Sequence, residues 1–167
     1  VNAVYVSVNY RLGVLGFNPL EALNSATDLE KSGNFTLLDI AVALDWVQAN
    51  IEVFGGDTNN VTLAGFSAGG RDVMATLISP HFQGKYHKAI SFSGGMTLAD
   101  KAESQDIFAT ALAPLVVEDG LKADEAAAKE WLLTSDQEVE DYLYSLSADR
   151  LAPLMGNAGI RMSVFPH

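Results

Sequence analysis

A chain of 167 residues that is 49% apolar, with 14 glycines and no cysteine, has the composition and length for one folded core, and without thiols it can build neither a disulfide framework nor a thiolate metal site. Ten Lys and Arg against 21 Asp and Glu give a formal net charge of −11, and with no basic stripe the chain is a poor partner for nucleic acid or an anionic membrane surface. No apolar run reaches the roughly 20 residues a transmembrane helix needs, and the chain opens on valine inside a strand-like run rather than on a leader, so it is read as an internal piece of a longer polypeptide, with compartment and oligomeric state left open.

The first run, Ala3-Val4-Tyr5-Val6-Ser7-Val8, is β-branched and aromatic with no charge, which predicts a strand buried on both faces of a parallel sheet. From Asn9 to about Ser32 the chain carries Gly13, Gly16, Pro19 and scattered polar residues and reads as a long connecting loop. Between Leu37 and Phe54 the residues Leu37, Leu38, Ala41, Leu44, Val47 and Ile51 recur at helical spacing; Gly55-Gly56 is the expected stop, and Trp46 reads as core. A strand is expected over Val61–Gly65, a helix over Gly69–Ile78 and a strand over Lys88–Phe92, closed by Gly94-Gly95. Strand, helix, strand, helix, strand with short connections is a parallel α/β pattern. A site in such a sheet belongs at the carboxyl ends of the strands.

After Ala99 the pattern changes. Residues 100–117, 124–133 and 136–147 are three helix-like runs, with Ser135 and Glu138 spaced as a capping box. The expected division is therefore an α/β portion over 1–98 and a helical segment over 99–167 of the same catalytic domain. Glu138, Glu140 and Asp141 read as solvated helix faces.

The chemistry-bearing stretch is Gly65-Phe66-Ser67-Ala68-Gly69, between the apolar run Val61–Ala64 and the following helix. A G-x-S-x-G pattern between strand and helix is the setting of a nucleophile elbow. The sharp turn holds a serine hydroxyl clear of the backbone, and side chains at Gly65 or Gly69 are expected to collide where strand and helix approach. The Ala68 N–H, on the first turn of the helix, is the expected donor to an oxyanion. The bland alternative for Ser67 is an N-cap in an ordinary strand-to-helix turn.

Three further stretches add context: Asn9-Tyr10-Arg11-Leu12-Gly13 through Gly16-Phe17; Gly33-Asn34-Phe35-Thr36-Leu37-Leu38-Asp39 running to Trp46-Val47-Gln48-Ala49-Asn50-Ile51; and Phe54-Gly55-Gly56-Asp57 leading to Val61-Thr62-Leu63. Together with the elbow they resemble the type-B carboxylesterases, the group of cholinesterases and para-nitrobenzyl esterases, over roughly the first 95 residues. The resemblance implies a partial α/β-hydrolase fold and a carboxylic ester hydrolase working through a serine acyl-enzyme, with a small-molecule ester as substrate and no cofactor or metal. It makes Ser67 the nucleophile and Ala68 an oxyanion donor. It also implies that the Gly-Gly oxyanion loop precedes these residues and that the triad acid and histidine follow the serine; neither is recognisable here, so the isolated chain is expected to be inert. Phe66 stands where the family usually has glutamate, Asp72 where a small or hydroxyl residue is usual, and Thr58 where proline is common. The first two bear on substrate preference and pH dependence.

Other candidates are weaker. His81 and His87 are expected at the end of the sheet away from Ser67, and nothing supports a role for His167. Asp100, Glu103 and Asp106 follow the strand after the nucleophile, where some hydrolases place an acid, but a charged helix start explains them equally. Arg11 and Asp39 are expected to form a structural ion pair. Two other readings share the fold: a non-catalytic cholinesterase-like adhesion protein, which would typically lack the serine, and a lipase or peptidase with a different pocket.

Overall fold

The computed structural model describes residues 2–23 and 27–156. In chain order the helices and strands are α1 (Gly13–Gly16), α2 (Phe35–Asn50), β1 (Thr62–Phe66), α3 (Ala68–Ile78), β2 (Lys88–Phe92), α4 (Lys101–Glu118), α5 (Glu125–Leu132), α6 (Gln137–Ser145) and α7 (Ala148–Leu151). The described residues fall into two compact units: those up to Arg11 with Thr36–Thr97, and those of 12–35 with those of 98–156.

The first unit is the α/β one. Helix α2 buries Leu37, Ile40, Ala41, Leu44 and Val47, a stripe at helical spacing. It runs on as a 3-10 turn, Ile51–Phe54, and stops at Gly55, whose φ of 81° is open to glycine at no steric cost. Trp46 does not join this core. It is 46% exposed and leans on the Phe54 ring at 5.9 Å, because Leu44, Val47 and Ile51 occupy the inward stripe while Trp46 shares the outer face with Val42, four residues earlier.

Strands β1 and β2 pair in parallel, Thr62 opposite Lys88 through Phe66 opposite Phe92, with α3 as the crossover. The parallel α/β pattern expected for 61–92 is present. The strand expected over Ala3–Val8 is not: among the described residues no ladder joins it to β1 or β2, and Val4, Tyr5, Val6 and Val8 are exposed, Tyr5 by 89%. Side-chain type suits a residue to a sheet, but a strand exists only where a neighbour accepts its backbone.

The second unit is helical. Its core gathers Phe108, Leu112 and Val116 of α4 with Ala128 and Leu132 of α5, Val139 and Tyr142 of α6, and Leu151. Val14, Leu20 and Ala22 belong to the same cluster. The stretch expected to be a plain loop thus contains α1 and 3-10 turns at Glu21–Leu23 and Glu30–Ser32, and it supplies core side chains, Leu20 being fully buried. Gly33 (φ 71°) packs so closely on Asn18 and Pro19 that a Cβ there would stand 2.6 Å from the Asn18 carbonyl oxygen.

Helix starts are capped as carboxylates allow. Asp100 accepts the Glu103 N–H at 2.9 Å and Asp124 the Ala127 N–H at 2.9 Å. The capping box expected at Ser135 and Glu138 does not form: α6 begins at Gln137 with Asp136 at its N-cap. Ser135 lies one residue too early, and Asp136 instead accepts from the Thr134 hydroxyl at 3.0 Å.

Candidate active site

β1 ends at Phe66, α3 begins at Ala68, and Ser67 makes the whole turn between them, at φ 55° and ψ −112°. Positive φ in a non-glycine residue costs on the order of 1–3 kcal/mol unless its surroundings fix it. Here the fixing groups are visible. The Ser67 N–H donates to the Phe92 carbonyl at 2.9 Å, and the Ser67 carbonyl accepts the Arg71 N–H at 3.1 Å. Ser67 forms no side-chain cap with α3, and the residue is exposed. An N-cap serine would bond back to the helix; this one is held outward by a strained backbone.

Gly65 is required. A Cβ there would run into the carbonyl of Gly69, the first turn of α3. Gly69 itself is less constrained than expected: the nearest atom to a Cβ at that position is the Tyr10 hydroxyl at 3.5 Å, an ordinary contact. The tight approach lies one residue on. A Cβ at Gly70 would come within 2.9 Å of the Gly94 Cα and 3.0 Å of the Phe92 carbonyl oxygen. Sequence reasoning missed Gly70, although a run of two glycines after the serine was a possible signal for it. Ser93, directly after β2, also has positive φ, 52°, which only backbone geometry reveals.

Ala68 is the first residue of α3, where backbone N–H groups have no helical acceptor. Phe66, 72% exposed, puts an apolar ring beside the serine, in register with Phe92 on β2. Asp72 is buried, 5% exposed, and burial pushes its carboxyl up to about 6. Tyr10 is half-buried; burial, and then the charge of Asp72, raises its hydroxyl above the ordinary tyrosine value.

The Arg11 and Asp39 pair is present as expected. The guanidinium meets the carboxylate at 2.7 and 2.9 Å, the Arg11 N–H donates to it at 2.9 Å, and the Arg11 carbonyl accepts the Thr36 hydroxyl at 2.6 Å. The pair pins the residue after Tyr10 to the start of α2. Hydrogen bonding to Arg11 holds the Asp39 carboxyl below the usual range.

The histidines fall where chain order put them. His87 precedes β2 and pairs with Val61, which precedes β1, its N–H donating to the Val61 carbonyl at 2.9 Å and its Nδ1 accepting the Val61 N–H at 3.3 Å. That is the opposite end of the strands from Ser67. His81 sits in the 3-10 turn Pro80–Phe82 between α3 and β2, edge-on to Phe82. His167 lies outside the described residues. In the helical unit Asp100 is the cap of α4, Glu103 is exposed on its first turn, and Asp106 pairs with Lys129 at 2.6 Å. Thr58 takes part through its carbonyl, which accepts the Gln48 amide at 3.2 Å. A hollow of about 440 Å³ lined by Glu21, Lys31, Lys101 and Gln137 belongs to the helical unit and contains no elbow residue. Among the described residues no cluster of ligands could hold a metal ion, and no helix is long and apolar enough to cross a membrane.

Comparison with known proteins shows the family and the fold. Residues 1–147 match the sequence profile of the Carboxylesterase family. The para-nitrobenzyl esterase of Bacillus subtilis (strain 168) is 40% identical over 136 residues, 80% of this chain and 27% of that protein. The crystal protein of Dictyostelium discoideum is 50% identical over 103 residues, 62% of this chain and 17% of that protein. Among solved structures, a thermophilic para-nitrobenzyl esterase superposes with a TM-score of 0.67 at 33% identity, covering 93% of this chain and 27% of the other. The chain therefore spans less than a third of the length of these relatives. The fold is part of an α/β-hydrolase fold: a short parallel sheet with flanking helices.

Proposed function

The chain belongs to the carboxylesterase family, and from that premise we propose that it carries the nucleophile of a serine carboxylic ester hydrolase. The observation that supports this most is the conformation of Ser67, which is uncapped, outward and strained between two hydrogen bonds. In this reading the Ser67 hydroxyl attacks an ester carbonyl while a histidine elsewhere in the full polypeptide takes its proton. The tetrahedral oxyanion rests against the Ala68 N–H and further amides supplied from elsewhere. Collapse releases the alcohol, protonated by that histidine, and leaves an acyl-serine, which water then hydrolyses to the acid. Gly65 frames the turn, Gly69 lines it, and Phe66 offers the substrate an apolar wall.

Loss of one oxyanion donor costs about a hundred- to a thousandfold in rate, so a chain without the rest of the machinery is expected to show no ester hydrolysis above background. The test is hydrolysis of a short p-nitrophenyl ester by the complete reading frame that contains these residues, beside its Ser67→Ala variant. A fall of several orders of magnitude in the variant supports the reading. Equal inactivity of two folded proteins overturns it and favours the adhesion-type alternative.

A further inference from the structure

Asp72 is the fifth residue of α3, buried at 5% exposure. Among the described residues no hydrogen bond or ion pair reaches its carboxyl; the one interaction it has is with the charge state of Tyr10. Side chains on a helix lean back over the preceding turn. Asp72 stands one helical turn after Ala68 and Gly69, and the Tyr10 hydroxyl, which feels the Asp72 charge, lies 3.5 Å from where a side chain at Gly69 would begin. A buried carboxylate with no cation is costly, and this one is one helical turn past Ala68, the proposed oxyanion donor.

Among the described residues, no ion pair or hydrogen bond brings it a compensating charge. β1, Thr62–Phe66, has no ionisable side chain. The ionisable residue of β2, Lys88, is at the far end and donates to Asn60. On α3 itself the Arg71 Nε lies 3.9 Å from where a side chain at Gly95 would begin. His81 is in the turn beyond the far end of α3, and Arg11, next to Tyr10, is bonded to Asp39.

We propose that Asp72 sets the charge behind the oxyanion-binding turn: its neutral carboxyl leaves the oxyanion supported, and its ionised form opposes it, so that hydrolysis favours the acid side. The proposal rests on the Ser67 reading above. A unit charge one helical turn away from the oxyanion slows the reaction by on the order of tenfold at an effective protein dielectric.

The test compares the complete polypeptide with its Asp72→Asn and Asp72→Ser variants, both uncharged at every pH and differing in what they leave in the pocket. Rates on p-nitrophenyl acetate from pH 5 to 8 are taken as the ratio of variant to parent, in which the limb due to the base common to both cancels. The expected ratio is near one at pH 5 and rises to about ten at pH 8. Thermal midpoints supply a readout independent of activity. The folded chain keeps a proton on Asp72 that the unfolded chain begins to release near pH 4, so the parent should lose stability relative to Asp72→Asn as pH rises from about 4 to about 6 and level off above. A flat rate ratio overturns the proposal, and does so even where the midpoints diverge, since the charge then exists without reaching the site. If Ser67→Ala hydrolyses as fast as the parent, the esterase reading falls, and the proposal falls with it; the midpoints still report separately whether Asp72 titrates in its pocket.

Discussion

Gly70 and Gly94 meet backbone to backbone, leaving 2.9 Å between the Gly94 Cα and the place where a side chain at Gly70 would begin. Helix α3 is thereby seated on the exit of β2, next to the hydrogen bond that positions Ser67. Gly70→Ala must push one backbone segment away, and it is expected to cost about 1–3 kcal/mol in urea unfolding. Gly69→Ala, which meets only the Tyr10 hydroxyl at 3.5 Å, should cost a fraction of that. Equal costs would contradict the packing described.

Ser67 holds φ 55° against the preference of any residue with a Cβ. Ser67→Gly relieves that strain and gives back part of the gain as unfolded-state entropy, so the variant should be up to about 1 kcal/mol more stable than the parent. On the proposed serine mechanism it should also be unable to form an acyl-enzyme. A denaturant midpoint below that of the parent would mean that the turn is not strained.

The Arg11 and Asp39 pair gives a pH-dependent contribution of the opposite sign to Asp72. The folded carboxyl titrates below its ordinary value, so its stabilisation is complete above about pH 4 and is lost as pH falls through the lowered value. Both side chains are partly in water, which limits the pair to about 1 kcal/mol. Asp39→Asn should lower the thermal midpoint slightly at pH 7, and the gap to the parent should close at strongly acid pH. A gap that persists there would assign the loss to packing instead.

The elbow was legible in the sequence because its signal is local, a strand-forming run, two glycines around a serine and a helix-forming run, although the Phe92 carbonyl that fixes the turn is not local. The caps at Asp100 and Asp124 are local too, and they form. What could not be read depends on partners far along the chain. Ala3–Val8 has the side chains of a buried strand and, among the described residues, lacks a paired neighbour; Leu20 lies in a glycine- and proline-punctuated stretch and is fully buried because it joins the core cluster that the later helices build. Trp46 is large and apolar, yet its place on α2 is set by which face Leu44 and Val47 occupy. The Gly70–Gly94 approach joins residues 24 positions apart, and no pattern around either glycine announces the other. At the site, sequence gave the identity of Asp72 and its place one turn past the elbow; its burial beside Tyr10 came from the fold.

The hydrogen bond from the Ser67 amide to the Phe92 carbonyl continues the β1–β2 ladder one rung past the strand. Reactive serines on loops ordinarily have backbones that exchange their amide protons with solvent quickly, since nothing encloses them. This serine combines a side chain open to solvent with an amide closed into the sheet. Its deuterium uptake should therefore follow the opening of the two strands rather than the motion of a loop, and anything that separates β1 from β2 also dismantles the turn that presents the hydroxyl.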